Sequence, residues 1–191
     1  MKRAIYLFVI VLAMCVGALA QVATPRESTK QTLTQQVGDA SLTIIYSRPN
    51  TKGRKVWDGL VPYGKVWRAG ANEATIVEIT QDVTINGKPL PAGKYSLHMI
   101  PTAGEWTLIF NKTWDQWGSF NYDEKQDALR VQTKPVPGDF FETMVFGVGD
   151  ITTSTAKVFL RWEKLIVPFT VDIGDIHGRV LSQIRAAINS R

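Results

Sequence analysis

The chain predicts an all-β fold: an antiparallel, jelly-roll-like β-sandwich with one C-terminal α-helix. Three observations carry this expectation. Apolar residues recur with a period of two through most of the chain. Short groups of Gly, Pro and Asn separate the alternating runs. No helical periodicity is interleaved between those runs before about Asp175.

The clearest alternation runs from Thr155 to Lys164. Ala156, Val158, Leu160 and Trp162 share one face, Thr155, Lys157, Arg161 and Glu163 share the other, and only Phe159 breaks the pattern. Successive strand side chains point to opposite faces, so this segment buries one face and wets the other. Leu165, Val167, Phe169 and Val171 repeat the alternation. Pro168, on the opposite parity, calls for an edge position or a bulge because proline has no N–H to give a ladder. Similar runs at 42–47, 75–80, 94–100, 106–111 and 140–148 read as further strands.

The connections favour antiparallel pairing. Asn86-Gly87, between Val83–Ile85 and Lys88–Leu90, is a type I′ hairpin signal, since both central residues must take positive φ. Pro91-Ala92-Gly93 and Thr102-Ala103-Gly104 mark two more reversals. The sum is roughly eight to ten short strands. Near the end, Ile176, Val180, Ile184 and Ile188 fall four residues apart with Leu181 beside them, which predicts a helix over 174–191 that docks its stripe on the sandwich or on a partner. Gly178, near its start, weakens that helix.

The first residues read as an export signal. Lys2 and Arg3 precede an uncharged apolar run from Ala4 to Val16, and Ala18-Leu19-Ala20 is a small-x-small cleavage site before Gln21. A membrane anchor needs about 18 to 20 apolar residues, and Gln21 ends the run near that minimum. Lipidation at Cys15 fits poorly, because Met14 stands where a small residue is expected. The expectation is a signal peptide at 1–20, an unstructured segment at 21–29, a sandwich domain at 30–173, and no stable membrane span after cleavage. The destination is the periplasm or the extracellular space.

Composition then removes several chemistries. The 191-residue chain has one cysteine, which leaves with the signal, so the mature chain lacks a disulfide, a thiol nucleophile and a thiolate ligand. Its 2 histidines, His98 and His177, cannot supply a three-histidine metal site. No G-x-S-x-G elbow, phosphate loop or H-E-x-x-H motif occurs, and nothing calls for a metal or cofactor. The formal charge of +5 falls by two with the signal, and export makes nucleic acid an improbable partner, so an anionic ligand fits the remaining excess better. His98 lies on the strand face opposite Tyr95, Leu97 and Met99, which reads as a solvated or hydrogen-bonded histidine.

The excess is concentrated in the C-terminal tail and in 47–74. That segment holds six basic residues, four glycines, two prolines and three large aromatics, with only Asp58 and Glu73 as acids. No helix or strand accommodates this mixture, and a long irregular insertion in a domain is commonly a binding or active-site loop. Arg48, Lys52, Arg54, Lys55, Lys65 and Arg68 offer donors to carboxylate, phosphate or sulfate. The competing reading is a brace in which Arg48 and Arg68 pair with Asp58 and Glu73. Trp57, Tyr63 and Trp67 read as the packed underside of the loop, while Asn72 and Glu73 are placed to point into a cleft.

A second concentration is Trp114, Trp117, Phe120 and Tyr122, interleaved with Asp115, Gln116, Asn121 and Asp123. Rings beside amides and carboxylates suit a saccharide, and they suit equally a lid over the end of the sandwich. Carboxylates such as Glu73 and Asp123 leave a glycosidase-like hydrolase open.

Three long segments of this chain, YSRPNTKGRKVWDGLVPYGKVWRAGANEAT, DVTINGKPLPAGKYSLHMIPTAGEWTLIFNK and WGSFNYDEKQDALR, resemble the DUF2911 family of exported bacterial proteins, a domain of unknown function. The resemblance covers 30–173 and brings no catalytic residue or substrate with it. The residues therefore lead to an expectation of an exported sandwich that binds an anionic or saccharide-like ligand through Arg48, Lys52, Arg54, Arg68, Asn72, Glu73, Trp114, Trp117 and Tyr122. The alternatives are a carboxylate-dependent hydrolase and a structural envelope protein that acts through protein partners.

Overall fold

Alternation resolves into two antiparallel sheets. The computed structural model of the protein describes residues 24–189, and the predicted signal peptide lies outside them. The strands are β1 (Thr29–Val37), β2 (Ala40–Arg48), β3 (Thr75–Ile79), β4 (Val83–Ile85), β5 (Lys88–Leu90), β6 (Gly93–Ile100), β7 (Trp106–Asn111), β8 (Asp127–Thr133), β9 (Val136–Gly149) and β10 (Thr155–Asp172). A helix, α1, spans Ile176–Asn189. One sheet has the order β1-β2-β3-β6-β7-β8 and the other β5-β4-β10-β9. They pack face to face as the predicted sandwich.

The core lies between the sheets. Leu42, Ile44 and Tyr46 of β2, Leu97 and Met99 of β6, and Leu108 and Phe110 of β7 meet Val158, Leu160, Trp162, Val167 and Phe169 of β10. These are the inward positions of period-two patterns, and their burial supplies the main favourable term for folding. The two runs read separately at 155–164 and 165–171 are one strand. Its register against β9 shifts around Glu163, whose φ is 53°. Pro168 lies beyond the last β9 pair, Ile166 with Val136, so its missing N–H removes no bond from that ladder.

The Asn86-Gly87 turn forms as the sequence requires, with φ of 47° and 78°. Ile85 pairs with Lys88 across it. Asn86 also ties the hairpin to its surroundings, accepting from the Thr170 N–H at 2.8 Å and donating to the Gln132 carbonyl at 2.9 Å.

β1 was not legible as a strand. Its half-buried positions include Gln31 and Gln35, so polar residues disguise the alternation. Gln31 is there because the Tyr46 hydroxyl donates to its Oε1 at 2.9 Å. The segment before β1 carries no regular structure from residue 24, yet Arg26, Glu27 and Ser28 all contact the loop at 47–74.

The docking expected of α1 is not observed. Ile176 packs against the core, but Val180, Leu181, Ile184 and Ile188 are between 41% and 66% exposed. The helix is held at its root instead, where Arg179 pairs with Asp39 at 2.9 Å and donates to the Ile173 carbonyl. That anchor orients the first turn and leaves the later stripe without a surface to meet.

Candidate functional site

The long loop between β2 and β3 is built on tryptophan. The Trp57 ring lies edge-on to Trp67, Trp106 and Trp162 at centroid distances of 5.9, 4.8 and 5.7 Å, and Trp67 stacks on Trp162 at 6.1 Å. All four are buried, and Tyr63 packs beside them, so the loop's aromatics are its packed underside as the sequence implied. Two of the rings belong to the sandwich itself, which makes the loop a continuation of the core.

Backbone bonds fix both ends of the loop. Thr51 N–H donates to the Glu142 carbonyl and Met144 N–H to the Pro49 carbonyl, each at 2.9 Å. Trp67 and Met99 exchange both backbone bonds at 2.8 Å. The loop thereby joins β9 of one sheet to β6 of the other and closes that end of the sandwich. Gly70 is required where it returns: a Cβ there would stand 2.9 Å from Thr75 Oγ1 and 3.2 Å from the Ser47 carbonyl.

The brace exists, but with partners other than those expected. Arg48 Nε donates to the Met144 carbonyl at 3.0 Å, and Arg54 donates to the Thr51 and Asn50 carbonyls at 2.9 and 2.7 Å. Asp58 pairs with Lys55, and Glu73 with Arg26. Glu142 gathers the Lys52 N–H at 2.8 Å and the Thr51 hydroxyl, which hold its carboxyl below the usual range. Backbone carbonyls satisfy the arginines because a loop with positive φ at Lys52, Asp58, Ala69 and Asn72 turns its carbonyls out of any ladder.

Arg68 is the exception. Its guanidinium is half-buried and has no hydrogen-bond or ion-pair partner among the described residues, and Nε is sealed from solvent. Burial pushes its pKa below the ordinary arginine value. This side chain lines two adjoining clefts. One, of about 280 Å³, is bordered by Lys52, Arg54, Asn72, Glu27 and Trp162. The other, of about 310 Å³, is bordered by Lys65, Trp67, Ser119 and Phe120.

The second predicted region meets the first directly. Gly118 N–H donates to the Asn72 carbonyl at 3.1 Å and Ala74 N–H to the Gln116 carbonyl at 3.0 Å, which pairs Glu73 with Trp117 as an isolated bridge. Residues 112–123 thus lie over the outer face of the larger sheet. Their backbone forms a lid on that face, not over the end of the sandwich as one reading held, and two of their rings are not folded in: Trp117 is 52% and Phe120 81% exposed. Lys94 Nζ sits 4.7 Å from the Trp114 ring centre and the Arg26 guanidinium 5.4 Å from that of Trp117. Trp114, Asp115, Gln116, Glu73 and Lys30 border a third cleft of about 270 Å³.

Under the lid, His98 is fully buried rather than solvated. Its Nε2 is 3.2 Å from Ser96 Oγ and its Nδ1 is 3.3 Å from Ser119 Oγ. Desolvation pushes its pKa down to about 4; the Arg68 charge adds to that shift and Asp127 opposes it. Tyr122 serves this layer and borders none of the clefts. Its hydroxyl donates to Asp127 and accepts from Arg130, both at 2.6 Å, and desolvation together with the Asp127 bond raises its pKa to about 12. Asn111 is also covered, donating to the Asp123 carbonyl and Asp127.

Of the nine residues expected at a site, Lys52, Arg54, Arg68 and Asn72 share one cleft and Glu73 and Trp114 another. Trp117 stands exposed between them, while Arg48 and Tyr122 point elsewhere into structural bonds. The sequence reading missed Ser119, whose position against His98 has no local signature, and the Arg26–Ser28 segment, which it took as unstructured. A larger depression of about 460 Å³ beside the start of α1 is lined by Gly38, Thr153, Ser154, Gly174, Asp175 and Ile176, without a basic or aromatic side chain. No group of three His, Cys, Asp or Glu side chains among the described residues is arranged to hold a metal.

No curated protein and no solved structure matches this chain. A family model does match, over residues 28–171, from the residue before β1 to the penultimate residue of β10. With three quarters of its length inside that match, and every strand but for the last residue of β10, the chain belongs to the family described as "Protein of unknown function (DUF2911)".

Proposed function

We propose that this is an exported protein, destined for the periplasm or beyond, whose sandwich captures a small anionic ligand at the Arg68 cleft. One observation carries the reading: a half-buried guanidinium with no acceptor among the described residues, beside Lys52 and Asn72. Burying an unpaired charge costs several kcal/mol, so a fold retains one where an external anion completes it. Arg54 lines the same cleft with its donors already committed to the loop, which makes it a supporting residue.

A purely saccharide ligand is less well supported. Cations already lie over Trp114 and Trp117, competing for the ring faces that a sugar would cover. An acidic saccharide remains within the proposed class, since its carboxylate would meet Arg68.

The test is calorimetric titration with sulfate, citrate, a uronic acid and a neutral glucan. Binding of the anions, lost in Arg68→Gln and retained in Lys112→Gln, supports the site. Heats equal to buffer dilution for every anion would sink it.

The hydrolase alternative with Glu73 as acid is disfavoured. Burial pushes the Glu73 carboxyl up, but the Arg26 hydrogen bond, its own backbone bond and the Lys30 and Arg26 charges outweigh burial and hold its pKa down. A carboxylate kept ionised has no proton to donate at neutral pH. The structural-protein alternative draws on the exposed stripe of α1, and unchanged complex formation after deletion beyond Ile173 would remove it.

A further inference from the structure

We propose that Ser119 and His98 form a nucleophile–base pair that cleaves carboxylic esters bearing an anionic group in the cleft lined by Lys65, Trp67, Arg68 and Phe120. The proposal shares Arg68 with the anion site above but stands on different reacting atoms.

The hydrogen bonds beneath the lid fix which nitrogen acts. Ser96 Oγ donates its only proton to the Thr113 carbonyl at 2.9 Å and accepts from Gln116 Nε2 at 3.1 Å. Gln116 Nε2 also donates to the Thr113 carbonyl, at 2.7 Å, which sets its amide orientation. Ser96 Oγ can therefore only accept from His98 Nε2, 3.2 Å away. The imidazole carries its proton on Nε2, and the lone pair on Nδ1 faces Ser119 Oγ at 3.3 Å. A hydroxyl donating to an oriented imidazole, itself held by a third group, is the arrangement that activates a serine.

Position agrees with this chemistry. His98 is fully buried and Ser119 is half-buried at the border of the cleft, so a substrate or a single attacking water reaches the hydroxyl while the imidazole stays out of bulk solvent. Arg68 and Lys65 border the same cleft and offer the donors that an anionic substituent or a developing oxyanion needs. Desolvation keeps the imidazole neutral above about pH 4, which leaves the Nδ1 lone pair free, while the same burial weakens it as a base.

The reaction balances without a cofactor. Ser119 Oγ attacks the ester carbonyl as its proton passes to His98 Nδ1. The C–O bond to the alcohol breaks, and the leaving oxygen takes that proton. Water then attacks the acyl-Ser119 carbonyl, gives its proton to Nδ1, and Ser119 Oγ leaves and recovers it. The sum is ester plus water to acid plus alcohol.

The test treats the full chain with an alkyl fluorophosphonate and locates the adduct by peptide mass mapping. The expected result is one phosphonyl group on Ser119, absent in Ser119→Ala and slowed at least about tenfold in His98→Gln. Should His98→Gln not fold, the pH profile of labelling replaces it. The rate should rise as His98 loses its proton and stay level above, with Arg68, Asp127 and Tyr122 the charged or titratable groups facing the ring. p-Nitrophenyl hemisuccinate should turn over about tenfold faster than p-nitrophenyl acetate, a preference that Arg68→Gln narrows. A folded wild-type protein that gains no adduct, or an adduct that persists in Ser119→Ala, overturns the pair. Labelling by a neutral probe does not depend on anion capture, so this proposal and the ligand reading fail separately.

Discussion

Arg26 Nη1 lies 2.5 Å from Glu73 Oε1, and the same guanidinium faces Trp117. With Glu27 on Lys52 and the Asn72 side chain donating to the Ser28 carbonyl at 3.2 Å, three consecutive residues before β1 engage residues that line two of the clefts. Glu27 presents to Lys52 the group that an anionic ligand would bring. Replacing it should therefore release the lysine. Glu27→Gln is expected to tighten sulfate binding by up to about fivefold, the ceiling for an exposed ion pair, with little change in melting temperature. Weaker binding in that variant would contradict competition.

Arg68 should trade stability against capture. Arg68→Met removes a half-buried charge that nothing among the described residues matches, and such changes commonly raise stability by about 0.5–2 kcal/mol. Anion binding should disappear in the same variant. Arg54→Ala should behave oppositely, losing about 1 kcal/mol because two loop carbonyls forfeit their donor. Denaturant melts of the two variants distinguish the reserved cation from the bracing one.

Acid should unfold the protein in two steps of different origin. His98 is about 4 when folded against an ordinary 6.5, so the unfolded chain binds the extra proton between those values. Stability present above 6.5 is lost as pH falls toward 4, by roughly 3 kcal/mol at 1.36 per unit. Glu142, depressed by the Thr51 and Lys52 bonds, contributes only above its ordinary 4.5 and loses that contribution below it. In His98→Gln the upper portion of the pH-stability curve should flatten while the lower portion remains. A curve unchanged by that substitution would falsify the buried-neutral assignment.

Trp57 should dominate the stability of the loop. It touches three other indoles, and truncation to Ala is expected to cost about 3–5 kcal/mol. Its Nε1 is buried without a partner, so Trp57→Phe discards an unsatisfied donor and should cost under about 1.5 kcal/mol. Chemical denaturation of the two variants gives the difference.

The loops that border the candidate clefts were legible in outline. Clustered cations with glycines in 47–74 and aromatics in 114–122 both mark loops, because each mixture defeats a ladder or a helix, and both loops do border the clefts. Their partners were not legible. Arg48 found a carbonyl and Arg68 no partner among the described residues, rather than the nearby acids, and α1 kept its stripe exposed, since which groups meet depends on how the strand ends are brought together. His98 shows the same limit: its parity on β6 was correct, but parity gives a face, not what covers that face.

Local pattern alone determined the class of the fold, the Asn86-Gly87 turn, the inward faces of the long strands and the packed underside of the 47–74 loop. Those properties follow from steric preferences and period-two burial, which act within a few residues. Tertiary structure alone decided that β1 exists, that 26–28 meets the cleft, that Arg68 is left unpaired and that Ser119 rests on His98. Each of those contacts joins residues at least twenty positions apart or on separate strands, and no short-range preference encodes where the sandwich will bring them.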